Sequence, residues 1–488
     1  MLLTTLQVWA NKLSVSTTQE LVNSGLQAKA GDTIVIKSGN YLNCNLLLSA
    51  KGTMQNQVVF MAEKSGTVFF TGNSYLHITG TYITVSGVVF KNGYSGKNHV
   101  WQFSHGKEVA NNSRITASSI QGFNNPLRLD ENHWLTLSGK NNRVDHCNFT
   151  DKTNLGVLVA VLLDDDRSRV NNHSIDSNYF GIRKPLGSNA GELIRVGVSQ
   201  HCTFYSNTVI KNNFFEYCDG ETEIVSIKSC GNKVVGNVFK ECQGAVVLRH
   251  GNYNIIANNV FLGNDKKGTG GVRVINKGQI VVNNFFYKCK GVDFRSPLSI
   301  MNGVPNSPAN RSVGVSDAVI ANNSFYDCAP ISFCEGKSEE RSLQPKNVQF
   351  INNLFYTKSD TTIYHVYDDI SGIQVSNNLI SKEVTKQLMN GFTKANIEIE
   401  QTGRVSIPKA ISKGTHLVSD SIKNILTTAI NKPFTFTTGY DTKGSFNQVV
   451  DNAKTNCGAS WFVNPKNNEK TVTVNCNSAE EIKNAIEK

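Results

Sequence analysis

Val234-Val235-Gly236-Asn237-Val238-Phe239 is followed, 22 residues on, by Ile256-Ala257-Asn258-Asn259-Val260-Phe261. Each segment is a short β-branched run, an Asn-containing turn and then an aromatic. The Asn-x-Phe core of this pattern recurs at Asn213-Phe214-Phe215, Asn237-Val238-Phe239, Asn259-Val260-Phe261, Asn284-Phe285-Phe286, Asn323-Ser324-Phe325 and Asn353-Leu354-Phe355, and ends as Asn378-Leu379-Ile380, at steps of 24, 22, 25, 39, 30 and 25 residues. The two long steps hold polar insertions around Pro305–Arg311 and Glu335–Lys346. Self-similarity at this period marks a solenoid, in which each repeat is one coil. Asn tolerates left-handed backbone and bonds to neighbouring main chain, so it suits a turn repeated in every coil. The aromatic is expected to point inward and stack on its counterpart one rung away. The expected fold is all-β, a right-handed parallel β-helix with rungs about 4.8 Å apart.

On that frame Lys228, Arg249, Arg273 and Arg295, separated by 21, 24 and 22 positions, fall on one face as a column of cations. Like charges on adjacent strands are destabilising. The column is therefore either a solvated face whose long side chains splay apart or a groove for a polyanion. Glu221 and Glu223 lie beside it at i and i+2, on one face of a strand. Asn189 comes 32 residues earlier, about one coil plus an insertion, and Glu192 follows it closely. Oxygen donors of this kind suit Ca²⁺. Read from the residues alone, the Glu pair is equally a cation site or an acidic partner for the basic column.

A solenoid grows by adding coils, so 488 residues do not require several domains. Residues 1–461 are expected to form the β-helix and 462–488 a tail. In the tail, Val472-Thr473-Val474-Asn475 and Ser478…Ala485 repeat the pattern of Leu13–Ser24, as if a second β-helix began there. Thr17, Thr18 and Glu20 read as the start of an N-terminal helix capping the open end of the solenoid. Residues 94–114 read as a long polar connection, 383–392 as a helix-like stretch and 427–438 as a Thr-rich one. Lys+Arg 49 against Asp+Glu 38 gives +11, which favours acidic partners. No basic helix with interleaved aromatics suggests nucleic acid, and no apolar run is long enough to span a membrane. Met1-Leu2-Leu3 is not a secretory signal, so the chain is either cytosolic or has had a leader removed. Most of the eleven cysteines read as small buried side chains, with Cys457 and Cys476 as disulfide candidates. No CxxC pair points to zinc.

Asn189-Ala190-Gly191-Glu192-Leu193-Ile194-Arg195, Glu221-Thr222-Glu223 with Lys228, and Leu248-Arg249-His250-Gly251 resemble the signature blocks of polysaccharide lyase family 6, the alginate lyase and chondroitinase B family. Asn142–Cys147 and Met301–Pro308 are similar in style, and the resemblance runs over roughly residues 13–461. Where the family usually has Asn-Gly-Gly-Glu, Ala190 is a departure that keeps the polar residues. The resemblance implies a parallel β-helix acting on an acidic polysaccharide, alginate or, alternatively, dermatan sulfate. It implies Ca²⁺ held by Asn189, Glu221, Glu223 and Glu192, Lys228 as base and Arg249 on the leaving-group side. Arg195, His250, Arg273 and Arg295 are the implied substrate-binding residues, suited to carboxylates. The expected localisation is secreted or periplasmic, with a signal peptide removed, and neither nucleic acid nor membrane is expected as partner.

The implied reaction is β-elimination. A base takes H5 of a uronate, and the glycosidic oxygen at C4 leaves. A cation on the uronate carboxylate makes H5 more acidic. Lysine, at an ordinary value of about 10.4, is a poor base at neutral pH, so Lys228 is expected to be lowered by Arg249 and the metal. Guanidinium hardly ever deprotonates, so Arg249 is expected to steady charge on the leaving oxygen while water or His250 delivers the proton. Two other classes stay open. A non-catalytic polyanion-binding β-helix would form no unsaturated product. A hydrolase would need clustered Asp carboxylates, and Asp164-Asp165-Asp166 is the one dense group.

Overall fold

The computed structural model describes residues 11–187, 189–403, 405–410, 447, 449, 450, 453 and 457–462. Three long parallel sheets, each of 14 strands, wind around one apolar interior as a right-handed parallel β-helix. The first sheet starts at Lys12–Val15, which pairs with Thr33–Ile36. Helix α1, Thr18–Gln27, caps this end. Thr17 and Glu20 form a reciprocal capping box, satisfying two N–H groups that the first turn leaves open. Leu21 is fully buried under the helix, and Gly25 lies so close to Leu46, Leu47 and Leu48 that a Cβ there would collide with them.

The repeated Asn-x-Phe resolves into two devices. The phenylalanines form an interior stack, Phe180–Phe215–Phe239–Phe261–Phe286–Phe325–Phe355, with ring centroids 4.6–4.8 Å apart. The motif asparagines do not occupy the left-handed turn position. The residue before each does: Asn212, Gly236, Asn258, Asn283, Asn322, Asn352 and Asn377 have φ between 51° and 66°. The motif asparagines are buried one position later as a side-chain ladder. Asn237 Nδ2 donates to Asn259 Oδ1 at 3.0 Å, Asn259 to Asn284 at 2.9 Å and Asn284 to Asn323 at 3.0 Å. Each Nδ2 also donates to a main-chain carbonyl, as Asn259 does to Val234. Buried amides need such partners.

Two connections differ from expectation. Residues 94–114 include a core strand, Trp101–Gln102, paired between Tyr75–Thr81 and Leu135–Leu137, followed by a small antiparallel hairpin. Trp101 and Phe103 are fully buried, so this segment contributes to the core instead of being a purely polar connection. Residues 383–392 form no helix. Thr385 N–H donates to the Asp360 carboxylate and Met389 N–H to the Tyr364 hydroxyl, so side chains of the preceding coil take N–H groups a helix would use internally.

Gly458 N–H reaches Ser177 O, Ala459 N–H reaches Asn148 Oδ1 and Trp461 Nε1 reaches Ala117 O, tying residues 458–461 across earlier coils. The nine cysteines from Cys44 to Cys334 are free thiols; all but the partly exposed Cys328 are buried. Cys476, the tail 462–488 beyond Phe462, and residues 427–438 lie outside the described residues. No described helix is long and apolar enough to cross a membrane.

Candidate active site

The outer face of one sheet carries the predicted residues. Its relevant strands, in order, are β1 (Ile194–Val196), β2 (Glu223–Lys228), β3 (Ala245–His250), β4 (Val272–Val274), β5 (Leu298–Met301) and β6 (Ile331–Glu335). In register, Arg195, Ser226, Val247, Arg273, Ser299 and Ser332 follow one another from rung to rung. Lys228, Arg249 and Arg273 are therefore not stacked as one column. An irregularity between Ser226 and Lys228 sets Lys228 opposite His250 rather than Arg249, and in the next, regular pairing Arg273 faces Val247. Arg295 is not on a strand; it ends the short turn Asp293–Arg295. The cations are staggered and interleaved with carboxylates, which relieves the repulsion a strict column would carry.

Glu192 and Glu223 thread between the cations. Lys228 Nζ lies 3.6 Å from Glu192 Oε1. Glu223 Oε1 lies 3.9 Å from Arg249 Nε and 3.6 Å from Arg273 Nη1. Its Oε2 accepts from Ser226 Oγ at 2.5 Å, a contact that sequence spacing did not suggest. Glu221 Oε2 accepts from the Gly191 N–H at 3.0 Å, which brings the Asn189–Glu192 segment onto the rung of Glu221. Gly191 and Gly220 pack main chain to main chain, and a Cβ on Gly191 would strike the carbonyl of Gly220. Glycine is needed here for approach rather than for its backbone angles.

The three carboxyl groups repel one another. Burial, then the charges of Glu192 and Glu223, push Glu221 up to about 7, against the opposing Gly191 N–H. Glu192 is 3% exposed, and its Oε2 is buried without a hydrogen-bond partner. Among the described residues, no three or more His, Cys, Asp or Glu side chains are already arranged around one metal position. The donors nevertheless suit a hard divalent cation: crowded carboxylates, one unpartnered buried oxygen and an adjacent Asn189. A cation would offset the repulsion that raises Glu221.

Of the predicted substrate binders, Arg195 is partly exposed and its Nε is buried without a partner. Arg273 is tied down: its Nε donates to Phe294 O at 2.9 Å and its guanidinium lies 5.2 Å from the Phe294 ring. Arg249 Nη1 donates to Arg311 O at 3.2 Å, so the Pro305–Arg311 insertion folds back onto the site. His250 is 1% exposed, and burial with the Arg249 and Lys228 charges pushes it down to about 3. Both causes favour the neutral imidazole at ordinary pH. Asp165 and Asp166 are paired with Arg167 and Arg169.

Over residues 15–428 the chain matches the sequence family described as Chondroitinase B. The chain belongs to polysaccharide lyase family 6. Among solved structures, the family 6 alginate lyase AlyGC is 37% identical with a TM-score of 0.81, over 89% of this chain and 58% of that one. A mannuronic acid specific family 6 lyase from human gut microbiota is 27% identical, TM-score 0.73, over 90% of this chain and 98% of that one. The family 6 lyase Pedsa3628 from Pseudopedobacter saltans is 26% identical, TM-score 0.65, over 76% and 92%. This chain thus spans 58% of the length of AlyGC. Among curated proteins none matches it.

Proposed function

We infer that this family 6 chain cleaves alginate by β-elimination, leaving a 4,5-unsaturated uronate at the new non-reducing end. The observation that carries this reading is the meeting of Lys228, Arg249 and three carboxylates on the outer face of β1–β3 and the segments leading into them. Lys228 Nζ takes H5 and becomes ammonium. The electrons form the C4–C5 double bond as the C4–O bond breaks. Arg249, half-exposed on the neighbouring rung, steadies the charge on the departing oxygen, which takes its proton from water because His250 is neutral. Arg195, partly exposed on the adjacent rung, binds a uronate carboxylate through its guanidinium. Arg273, held by Phe294, keeps Glu223 in place. Asn189, Glu192, Glu221 and Glu223 would hold Ca²⁺, which supplies Lewis-acid neutralisation of the substrate carboxylate. Cation uptake at Glu192 would draw that carboxylate away from Lys228 Nζ. An enzyme degrading a polymer of this size works outside the cytoplasm, so we assign it to the periplasm or medium.

The test is near-ultraviolet absorbance of newly formed unsaturated uronate on alginate, with and without EDTA, beside Lys228→Ala and a dermatan sulfate control. Signal on alginate that Lys228→Ala abolishes is expected, with loss in EDTA and recovery on adding Ca²⁺. Signal confined to dermatan sulfate would keep the mechanism and replace the substrate. Polyanion binding with no product on either polymer would overturn the lyase reading.

A further inference from the structure

Beneath the site lies a charged side chain that the chemistry above does not use. Arg183 is 2% exposed and among the largest fully buried side chains. Its hydrogen bonds are accepted by main-chain carbonyls. Nη1 donates to Glu192 O at 2.7 Å, and Nη2 donates to Gly156 O at 2.8 Å and to Ala190 O at 3.3 Å. On its other side it supports the next rung: a Cβ on Gly220 would lie 2.9 Å from both its Cδ and its Nε. One guanidinium thus bridges the coil before the site, the Asn189–Glu192 segment and the Gly220–Glu221 segment. Burial lowers it to about 10 while Glu192 and Glu221 oppose that, so it stays charged at neutral pH.

The segment it grips needs holding. Ala190 sits at φ 69°, a left-handed conformation that is strained for a residue with a Cβ. Asn189 and Glu192 lie on either side of it. A buried cation is costly to desolvate, and here it faces backbone carbonyls on the side away from solvent, directly below crowded carboxylates.

Resting on the cation reading above, we propose that Arg183 is a positioning residue of the cation site. By fixing the carbonyls of Ala190 and Glu192 against the rung of Gly220, it sets Asn189 and Glu192 toward the same point as Glu221, and its charge offsets their repulsion. It touches neither substrate nor cation.

Arg183→Lys and Arg183→Gln in the full chain test this, with Ca²⁺ titrated calorimetrically into EDTA-stripped protein and melting followed in parallel. Supporting residues of metal sites typically change affinity by roughly 10–100-fold. The expected result is a loss of Ca²⁺ affinity in that range, larger for Gln than for Lys, with kcat recovering at saturating Ca²⁺. A lower melting temperature with unchanged Ca²⁺ affinity would overturn the proposal, as would failure of both variants to fold, which would make Arg183 a residue of the fold alone. If the wild-type protein itself takes up no Ca²⁺, the cation reading falls and this inference with it. That outcome is distinct from one in which wild type and variants bind Ca²⁺ equally.

Discussion

Glu221 is raised from its ordinary 4.5 to about 7, first by burial and then by Glu192. A carboxyl raised on folding is protonated in the native state while the unfolded chain has already lost its proton. Its contribution is therefore fully present below about 4.5 and is lost as pH rises through about 7. The cation-free protein should lose melting temperature across that window, and Glu221→Gln should flatten the slope. Ca²⁺ uptake near pH 6 should release a proton, readable as a dependence of calorimetric heat on buffer ionisation enthalpy. Equal heats in all buffers would count against Glu221 as a ligand. Ala190 gives a second residue-scale expectation. Ala190→Gly removes the left-handed penalty and should leave stability unchanged or raise it by up to about 1 kcal/mol in denaturant melts, with activity kept. At this scale the spacing gathered Glu221, Glu223 and Lys228 into one stretch, but Glu221 precedes the strand that carries the other two, and the carboxylate at Lys228 is Glu192. Ser226 and Arg183 were not legible. They act through one carboxylate oxygen and through main-chain carbonyls on other rungs, and no pattern of residue types records such contacts.

Elements in this molecule are held by repetition across rungs. Asn259 shows what the ladder contributes. It is fully buried, donates to Val234 O and Asn284 Oδ1, and accepts from both the N–H and the side chain of Asn237. Asn259→Leu would leave those partners unsatisfied in a dry interior, each at about 1–3 kcal/mol. We expect a loss of at least about 3 kcal/mol in denaturant melts, with hydrogen exchange accelerated first in the adjoining coils. A loss below about 1 kcal/mol would mean that water replaces the amide. The Asn-x-Phe rhythm exposed this element because ladder and ring stack both demand one residue type per coil. The same reasoning missed the strand at Trp101–Gln102, where a coil short of regular spacing is recognisable mainly by its buried Trp101 and Phe103. It also read a helix at 383–392, where N–H groups are taken by Asp360 and Tyr364 of the preceding coil, partners invisible to local periodicity. The cation column failed for a related reason: an irregularity after Ser226 sets Lys228 opposite His250 instead of Arg249, while Arg273 pairs with Val247, two residues before Arg249.

For the whole molecule, the net charge of +11 is read directly from composition, but its placement is not. Within the site the cations are largely matched: Lys228 faces Glu192, and Glu223 lies between Arg249 and Arg273. A polyanion approaching from solvent therefore responds mainly to the field of the entire surface, and to the site itself once contact is made. Such long-range attraction is screened beyond about 10 Å at 0.1 M salt and about 3 Å at 1 M. Raising NaCl from about 0.05 to 0.5 M at fixed, saturating Ca²⁺ should therefore lower kcat/KM on alginate several-fold, while kcat changes less than about twofold, because steering governs encounter rather than chemistry. Initial rates across a substrate series at each salt concentration separate the two quantities. A parallel fall in kcat would place the salt effect inside the site, in the ion pairs of Lys228 and Glu223. A flat kcat/KM would show that recognition rests on local contacts such as Arg195, and that the basic balance of the chain plays no part in capturing its substrate.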